Sequence, residues 1–370
     1  MRLEHLELID FRSYEQATLD LAPEGLTVVA GANGQGKTNL LEAVAWLATL
    51  SSFRGAPNEA LIRIGADRAV VRAEGEREGR RLLLEAELPA RGRLRVQINR
   101  QPVQRARDLL GALRVSVFTP DDLELVKGGP EERRRYLDQA AVRVRPVTAS
   151  DRQEFDKALR QRNGVLKAAR SNPRALKQLD VWTEQVTATG ATVVVNRLQA
   201  LEQLRPAIRS RYRELAATDP PEVTYQPSWI DGPAPAGRSE VADALATRLA
   251  ETRARDLEAA TTLAGPHRDD VAIELSGQGA RLFASQGEQR SLALSLRLAE
   301  RDVAADVLGE EPILLLDDVF SELDQHRRDR LGELVSTSGQ TIATATSAES
   351  LPVRGGRRLV VEQGRLSEVE

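Results

Sequence analysis

The chain opens with a strand-like alternation in which Leu3, Leu6, Leu8 and Phe11 fall on one amphipathic segment. Leu26-Thr27-Val28-Val29-Ala30 predicts a compact buried strand. From Lys37 the period lengthens, and Leu40, Leu41, Val44 and Leu47 repeat as they would along a helix. Leu82–Leu88 and Leu94–Ile98 predict further strands, with Asn99-Arg100 as a turn before Val103.

The pattern changes again at Gly128-Gly129-Pro130. Pro130 suits a first helical turn, and Glu131 and Glu132 suit the positive end of a helix. From Glu131 to Ala217 helix formers dominate. Leu179, Val186 and Val193 recur at seven-residue spacing, with Leu176 and Thr183 a weaker companion pair. This predicts two or three packed helices forming a short coiled-coil-like arm. Thr218–Gly237 carries Pro220, Pro221, Pro227, Pro233 and Pro235 and reads as a loop or linker, in which Tyr225 and Trp229 serve as packing anchors rather than base-stacking platforms. A helix is expected over Glu240–Ala260 and strands around Val271–Leu275 and Arg281–Ala284. Ile313–Leu316 and Thr341–Ala345 follow as buried strands.

Composition narrows the classes. A chain of 370 residues exceeds a typical single domain. Its 41% hydrophobic and 29% charged residues are ordinary for a soluble globular protein. No apolar run is long enough to span a membrane, and the charged start does not read as a signal peptide. With no cysteine, disulfides and cysteine-based metal sites are excluded; His5, His267 and His326 are scattered. The expected location is the cytoplasm. The net charge of −3 gives no global attraction to nucleic acid, so any such contact must come from local patches.

Gly31-Ala32-Asn33-Gly34-Gln35-Gly36-Lys37-Thr38 fits the phosphate-loop pattern in full, with the expected strand before it and helix after it. Gly31, Gly34 and Gly36 let successive backbone N–H groups turn toward one anion, and the helix adds its positive end. Lys37 would place its charge on the β- and γ-phosphates of ATP, and Thr38 would offer a hydroxyl to magnesium. Ile313-Leu314-Leu315-Leu316-Asp317-Asp318 is the natural second half: carboxylates at the end of a doubly buried strand fall where ligands bind in open α/β sheets. Asp317 would hold magnesium, and Asp318 would orient or deprotonate the attacking water.

The discriminating segment is Ser285-Gln286-Gly287-Glu288-Gln289-Arg290-Ser291 ahead of a helix over Leu292–Glu300. It resembles the signature motif of ABC-type ATPases, and Ser321-Glu322-Leu323-Asp324 resembles their D-loop. The resemblance then narrows. Phe11-Arg12-Ser13-Tyr14, Phe118-Thr119-Pro120-Asp121-Asp122-Leu123, the run from Gly128 through Arg133-Arg134-Arg135 to Asp138, and Gly265-Pro266-His267-Arg268-Asp269-Asp270 are similar, in order, to segments of the RecF family of DNA-repair ATPases. That resemblance implies an α/β fold: an ABC-type P-loop ATPase head, a mixed sheet with helices, plus a mainly helical second lobe. The expected segments are 1–125 and 303–370 for the head and 126–302 for the second lobe.

The resemblance also implies roles. Arg12 would touch the nucleotide phosphates and Asn33 would sit by the γ-phosphate. Ser285 and Gly287 would contact ATP held by a second copy of the chain, and Asp324 would lie at the dimer contact. It implies an ATP-dependent homodimer and sequence-independent DNA binding at single-strand gaps and duplex junctions. Partnership with RecR, and through it RecO, is implied too. Two departures stand out. Glu288 replaces the usual glutamine, an extra carboxylate near the γ-phosphate that would weaken its grip unless it points away. No switch histidine follows Thr341–Ala345, where Thr344 or Thr346 stands instead, so slow turnover is expected.

Candidate DNA contacts are Arg133, Arg134 and Arg135, then Arg205 and Arg209 with Arg211 and Arg213, and a third group of Arg160, Arg162 and Lys167. Each cluster also reads as a solvated helix face. A transporter ATPase subunit would carry a switch histidine and a shorter insertion; a chromosome-structuring ATPase would carry long heptads or a cysteine zinc hook. A scaffold with a vestigial site would not keep Lys37, Thr38 and Asp317 intact.

Overall fold

A computed structural model of the chain describes residues 1–216, 218–337, 339–347, 356–362 and 364–368. Among the described residues the chain begins with strands β1 (Arg2–Phe11), β2 (Tyr14–Asp20) and β3 (Gly25–Ala30), then helix α1 (Lys37–Thr49). Strands β4 (Arg68–Arg77), β5 (Arg80–Pro89), β6 (Arg95–Ile98), β7 (Gln101–Pro102) and β8 (Val115–Phe118) follow. The helical stretch comprises α2 (Glu124–Lys127), α3 (Pro130–Val144), α4 (Thr148–Ala169) and α5 (Leu179–Ala216). Next come β9 (Glu222–Gln226), α6 (Arg238–Ala259), β10 (Asp270–Leu275), β11 (Gln278–Gly279), α7 (Ala280–Phe283) and α8 (Gln286–Leu308). The chain closes with β12 (Ile313–Leu316), α9 (Gln325–Thr337), β13 (Gln340–Ala345), β14 (Arg357–Glu362) and β15 (Arg365–Glu368).

Contacts divide these elements into two compact units, residues 1–122 with 308–370, and residues 123–307. The expected limits were 125/126 and 302/303; the second would cut α8, which is continuous to Leu308.

The first unit holds two six-stranded sheets. One is antiparallel in the order β2-β1-β4-β5-β6-β7. The other runs β15-β14-β3-β13-β12-β8 and is parallel except at β15. Helix α1 is buried from Leu40 to Ala48, a run that is apolar apart from Glu42, and one core cluster joins it to side chains of both sheets. Parallel strands bring their carboxyl ends to one edge. The loop after β3 and the aspartates after β12 therefore lie on either side of the end of β13.

The second unit is helical, with a small sheet in the order β11-β10-β9. Leu179, Val186 and Val193 are all buried along α5, where Val186 and Val193 pack with Phe155 and Leu249 and Leu179 packs with Leu166. Two expectations are corrected. Thr218–Gly237 is not all loop: Val223 and Tyr225 alternate inward between Pro221 and Pro227, and β9 pairs with β10 at the sheet edge, where flanking prolines cost no ladder bond. Arg281–Ala284 is not a strand, since Ala280–Phe283 closes one helical turn. No helix among the described residues is long and apolar enough to cross a membrane.

Candidate functional site

The loop Gly31–Thr38 links β3 to α1. Gly36 has φ +110°, and a Cβ there would lie 2.7 Å from Ser13 Oγ, so glycine alone fits. A Cβ on Gly31 would lie 2.6 Å from the Val361 carbonyl oxygen. Asn33 and Gly34 are exposed at the tip. Lys37 is buried and folds back across its own loop, donating to the carbonyls of Gly31 at 2.8 Å and Ala32 at 3.3 Å. Its Nζ stands 3.7 Å from Asp318 Oδ2.

Thr38 Oγ1 donates to the Asp317 carboxylate, 3.0 Å from either oxygen. Thr344, at the end of the intervening β13, donates its hydroxyl to Asp317 Oδ1 at 2.8 Å and accepts the Asp318 N–H at 2.8 Å. Burial pushes the Asp317 carboxyl above its usual range, while the hydrogen bonds from Thr344 and Thr38 pull it down. Asp318 sits at φ +48°, an uncommon conformation for a residue with a side chain. Its Oδ1 is buried and has no hydrogen-bond partner among the described residues. A buried carboxylate oxygen without a donor fits a position next to a water or hydrated ion. Magnesium is commonly held by one or two protein groups completed by substrate phosphates and waters, a pattern that Thr38 and Asp317 fit.

Arg12 and Ser13 form the tight turn between β1 and β2, with Arg12 at φ +53°. Tyr14 Oη donates to the Gly36 carbonyl at 3.0 Å, and Asn39 donates to Ser13 Oγ at 3.0 Å. The Phe-Arg turn is thereby fixed against the phosphate loop. Arg12 itself reaches Glu42 of α1, a residue the sequence reading passed over although it is the sole charge between Leu40 and Ala48.

In the second unit Ser285 is exposed ahead of α8, and Gly287 is half-exposed. Glu288 bends back and accepts both the Ser285 N–H and its hydroxyl at 2.7 Å, while its own N–H donates to Ser285 Oγ at 3.3 Å. This is a capping box, so the unusual carboxylate is turned onto the serine and not away from it. Asp324 caps α9 by accepting the Arg327 N–H at 2.9 Å, and that bond holds its carboxyl below the usual range.

In the segment from Gly265 to Asp270, Gly265, Pro266 and Asp269 are buried, while Arg268 is exposed. Asp269 is fully buried and accepts from Tyr225 Oη, the Ser228 N–H and hydroxyl, and Trp229 Nε1. Tyr225 and Trp229 are thus anchors of the proline-rich stretch. His267 Nε2 lies 3.0 Å from the Thr262 carbonyl, and burial lowers its basicity.

The arginine clusters separate. Arg133 is buried and bidentate to Asp270 at 2.8 and 2.9 Å, so it is withdrawn from any open face. Arg134 is half-buried on the Asp269 carbonyl. Arg135 is half-exposed and pairs with Glu132 at 3.0 Å. Arg205 donates to the Val223 carbonyl at 2.9 Å and pairs with Glu202. Arg209 and Arg213 are exposed, whereas Arg211 is bidentate to Asp302 at 2.6 and 2.9 Å. Arg162 does not share a face with the exposed Arg160 and Lys167: it is fully buried against Asp256 at 2.8 Å.

A phosphate loop and a strand-end aspartate pair at one edge of a mostly parallel sheet, with the serine–glycine segment at the start of α8, are the parts of an ABC-type ATPase head. The chain belongs to the RecF/RecN/SMC N-terminal domain family, whose model matches residues 2–357, and within it to the RecF group of DNA replication and repair proteins. It is 44% identical over 370 residues to the DNA replication and repair protein RecF of Kineococcus radiotolerans, covering 95% of this chain and 94% of that protein. It is 42% identical to that of Streptomyces avermitilis, with both chains fully covered. A structure of the recombination mediator protein RecF with ATP, in the RecFOR pathway, is 28% identical with a TM-score of 0.86, covering 100% of this chain and 98% of that one. An Smc head bound to the C-winged helix domain of ScpA shares the fold at 16% identity, with a TM-score of 0.61 and coverage of 100% and 97%.

Proposed function

We propose that two copies of this chain close around two ATP molecules, and that the closed dimer holds DNA at single-strand gaps and duplex junctions. The observation that carries the ATP site is the linked set of Thr38, Asp317 and Thr344 beside Lys37, with the orphaned oxygen of Asp318 next to it; the pairing of two copies and the DNA contact are inferred from membership of the RecF group. In this reading Lys37 leaves the Gly31 and Ala32 carbonyls for the phosphates, and the loop N–H groups bind the same anion. Bound magnesium would neutralise phosphate charge during hydrolysis. Asp318 accepts the proton of the attacking water, and Thr344 fixes the Asp318 backbone while it does so. Ser285 and Gly287, on an accessible helix start, meet the γ-phosphate of the partner's ATP. Hydrolysis removes that bridge and releases DNA. Turnover is slow, because Thr344 or Thr346 stands where a switch histidine would act and Glu288 occupies the Ser285 donors. RecR and RecO are the expected partners, in the cytoplasm.

The test is mass in solution with and without a non-hydrolysable ATP analogue and with and without DNA. A dimer should form only with nucleotide, and Lys37→Ala and Ser285→Arg should each abolish it. A species whose mass ignores nucleotide would refute the proposal.

A further inference from the structure

We infer that Glu42 is a positioning residue for nucleotide binding: it holds the Arg12 guanidinium so that one N–H on each terminal nitrogen stays open for phosphate oxygens. The inference rests on the reading that Arg12 meets the phosphates.

Glu42 lies on α1, which starts at the phosphate-loop lysine, and is fully buried in an otherwise apolar run. Its carboxylate accepts from Arg12 Nε and Nη2, each at 2.8 Å, and from the Ser52 hydroxyl; Arg54 Nη1 stands 3.8 Å away. A buried ion pair is a poor way to gain stability, because apolar side chains of similar volume serve as well or better. A fixed guanidinium, in contrast, is a geometric gain. Arginine carries five N–H donors in a rigid fork. Here Nε and Nη2 go to Glu42, and Nη1 donates to the Ala60 carbonyl at 2.8 Å. Among the described residues three of the five N–H groups are used, which leaves one on each terminal nitrogen. The side chain keeps 18% exposure, and its Nη1–Ala60 bond lies at the exposed side, whereas the bonds to Glu42 are part-buried. Arg12 also heads a turn that Tyr14 ties to the phosphate loop at the Gly36 carbonyl, 3.0 Å away. Glu42 therefore fixes the arginine without occupying the donors an anion would need, and it does so from the helix that carries Lys37 and Thr38.

The experiment is a double-mutant cycle on the full chain with magnesium and fluorescent ATP, comparing Arg12→Gln, Glu42→Gln and the double variant, with thermal melts to confirm folding. Losing the charged fork should weaken binding about 30-fold in Arg12→Gln, and losing its aim about tenfold, or about 1.4 kcal/mol, in Glu42→Gln. The double variant should bind no worse than Arg12→Gln, because Glu42 acts only through Arg12. Native affinity in Glu42→Gln alongside a weakened Arg12→Gln overturns the inference. So does a Glu42 effect that persists undiminished without Arg12. Native affinity in Arg12→Gln shows instead that the phosphate reading of Arg12 has failed, and the inference falls with it. If Glu42→Gln does not fold, Glu42→Asp keeps the charge and shortens its reach; it should melt like the native chain yet bind ATP more weakly, and equal affinity refutes the role.

Discussion

Asp269 offers a direct test of whether the segment from Gly265 to Asp270 is structural. Its carboxylate is fully buried and gathers four donors: Tyr225 Oη at 2.5 Å, the Ser228 N–H and hydroxyl each at 2.8 Å, and Trp229 Nε1 at 3.1 Å. In Asp269→Ala the two Ser228 donors can turn to water, because Ser228 is exposed. Tyr225 and Trp229 are 6% and 3% exposed and cannot. Burial raises the Tyr225 hydroxyl above its usual range, so it stays a protonated donor with nothing to meet. Two stranded donors, each having lost a charge-assisted bond of about 1.5–3 kcal/mol, predict a loss of about 3–6 kcal/mol. Removing the desolvated charge returns part of that, which leaves about 4 kcal/mol. Asp269→Asn keeps one acceptor and should cost about 2 kcal/mol, and Tyr225→Phe, which leaves the carboxylate three donors, about 1 kcal/mol.

Urea unfolding followed by circular dichroism at the helix band reads mainly the helical unit that contains these residues. With a slope of about 2 kcal/mol per molar urea, Asp269→Ala should lower its midpoint by about 2 M, with Asp269→Asn and Tyr225→Phe in descending order. If Asp269→Ala unfolds within about 0.3 M of the native chain, the donors are not held by this carboxylate and the structural reading of the segment is wrong.

Asp317 makes a prediction of opposite sign. Burial raises its folded pKa above the unfolded value, so its contribution to stability is present at acid pH and is lost as pH rises through the folded value. At pH 7 the ionised carboxylate works against the nucleotide-free fold, and Asp317→Asn should melt about 2 °C higher there, with the gain vanishing near pH 3; a lower melting temperature at pH 7 would refute the argument. The arginines of the arm separate by burial: Arg209→Glu, on an exposed side chain, should weaken binding to gapped duplex and reduce the logarithmic salt slope by about one. Arg133→Gln should lower the melting temperature, by freeing Asp270 inside the second unit, and leave the salt slope of the folded protein unchanged. If Arg209→Glu binds DNA like the native chain across the salt series, that part of the arm is not the DNA surface.

What could be read from the sequence was whatever has its partners close by along the chain. The phosphate loop, the four apolar residues before Asp317, the signature at a helix start and the Asn99-Arg100 turn are contiguous patterns, and each maps onto one local structure. Strand β9 was hidden because prolines bracket only a few residues, and its edge position tolerates them. The charges were harder, since a buried arginine and a solvated one are spelled alike. Arg133, Arg162 and Arg12 look like surface residues, yet their carboxylates are Asp270, Asp256 and Glu42, on other elements far along the chain. Consecutive arginines on a helix point about 100° apart, so the run from Arg133 to Arg135 could never share one face. The two aspartate pairs carry the argument further. Asp269-Asp270 and Asp317-Asp318 are indistinguishable as dipeptides. Asp269 is fully buried and saturated by four donors from its own unit, and Asp270 is held by the bidentate Arg133 guanidinium and the Val271 N–H. Asp317 is held by two hydroxyls that can turn away, and Asp318 keeps a buried oxygen unanswered among the described residues. It is this difference in donor supply, and not the residue pair itself, that makes the second pair the candidate site for chemistry.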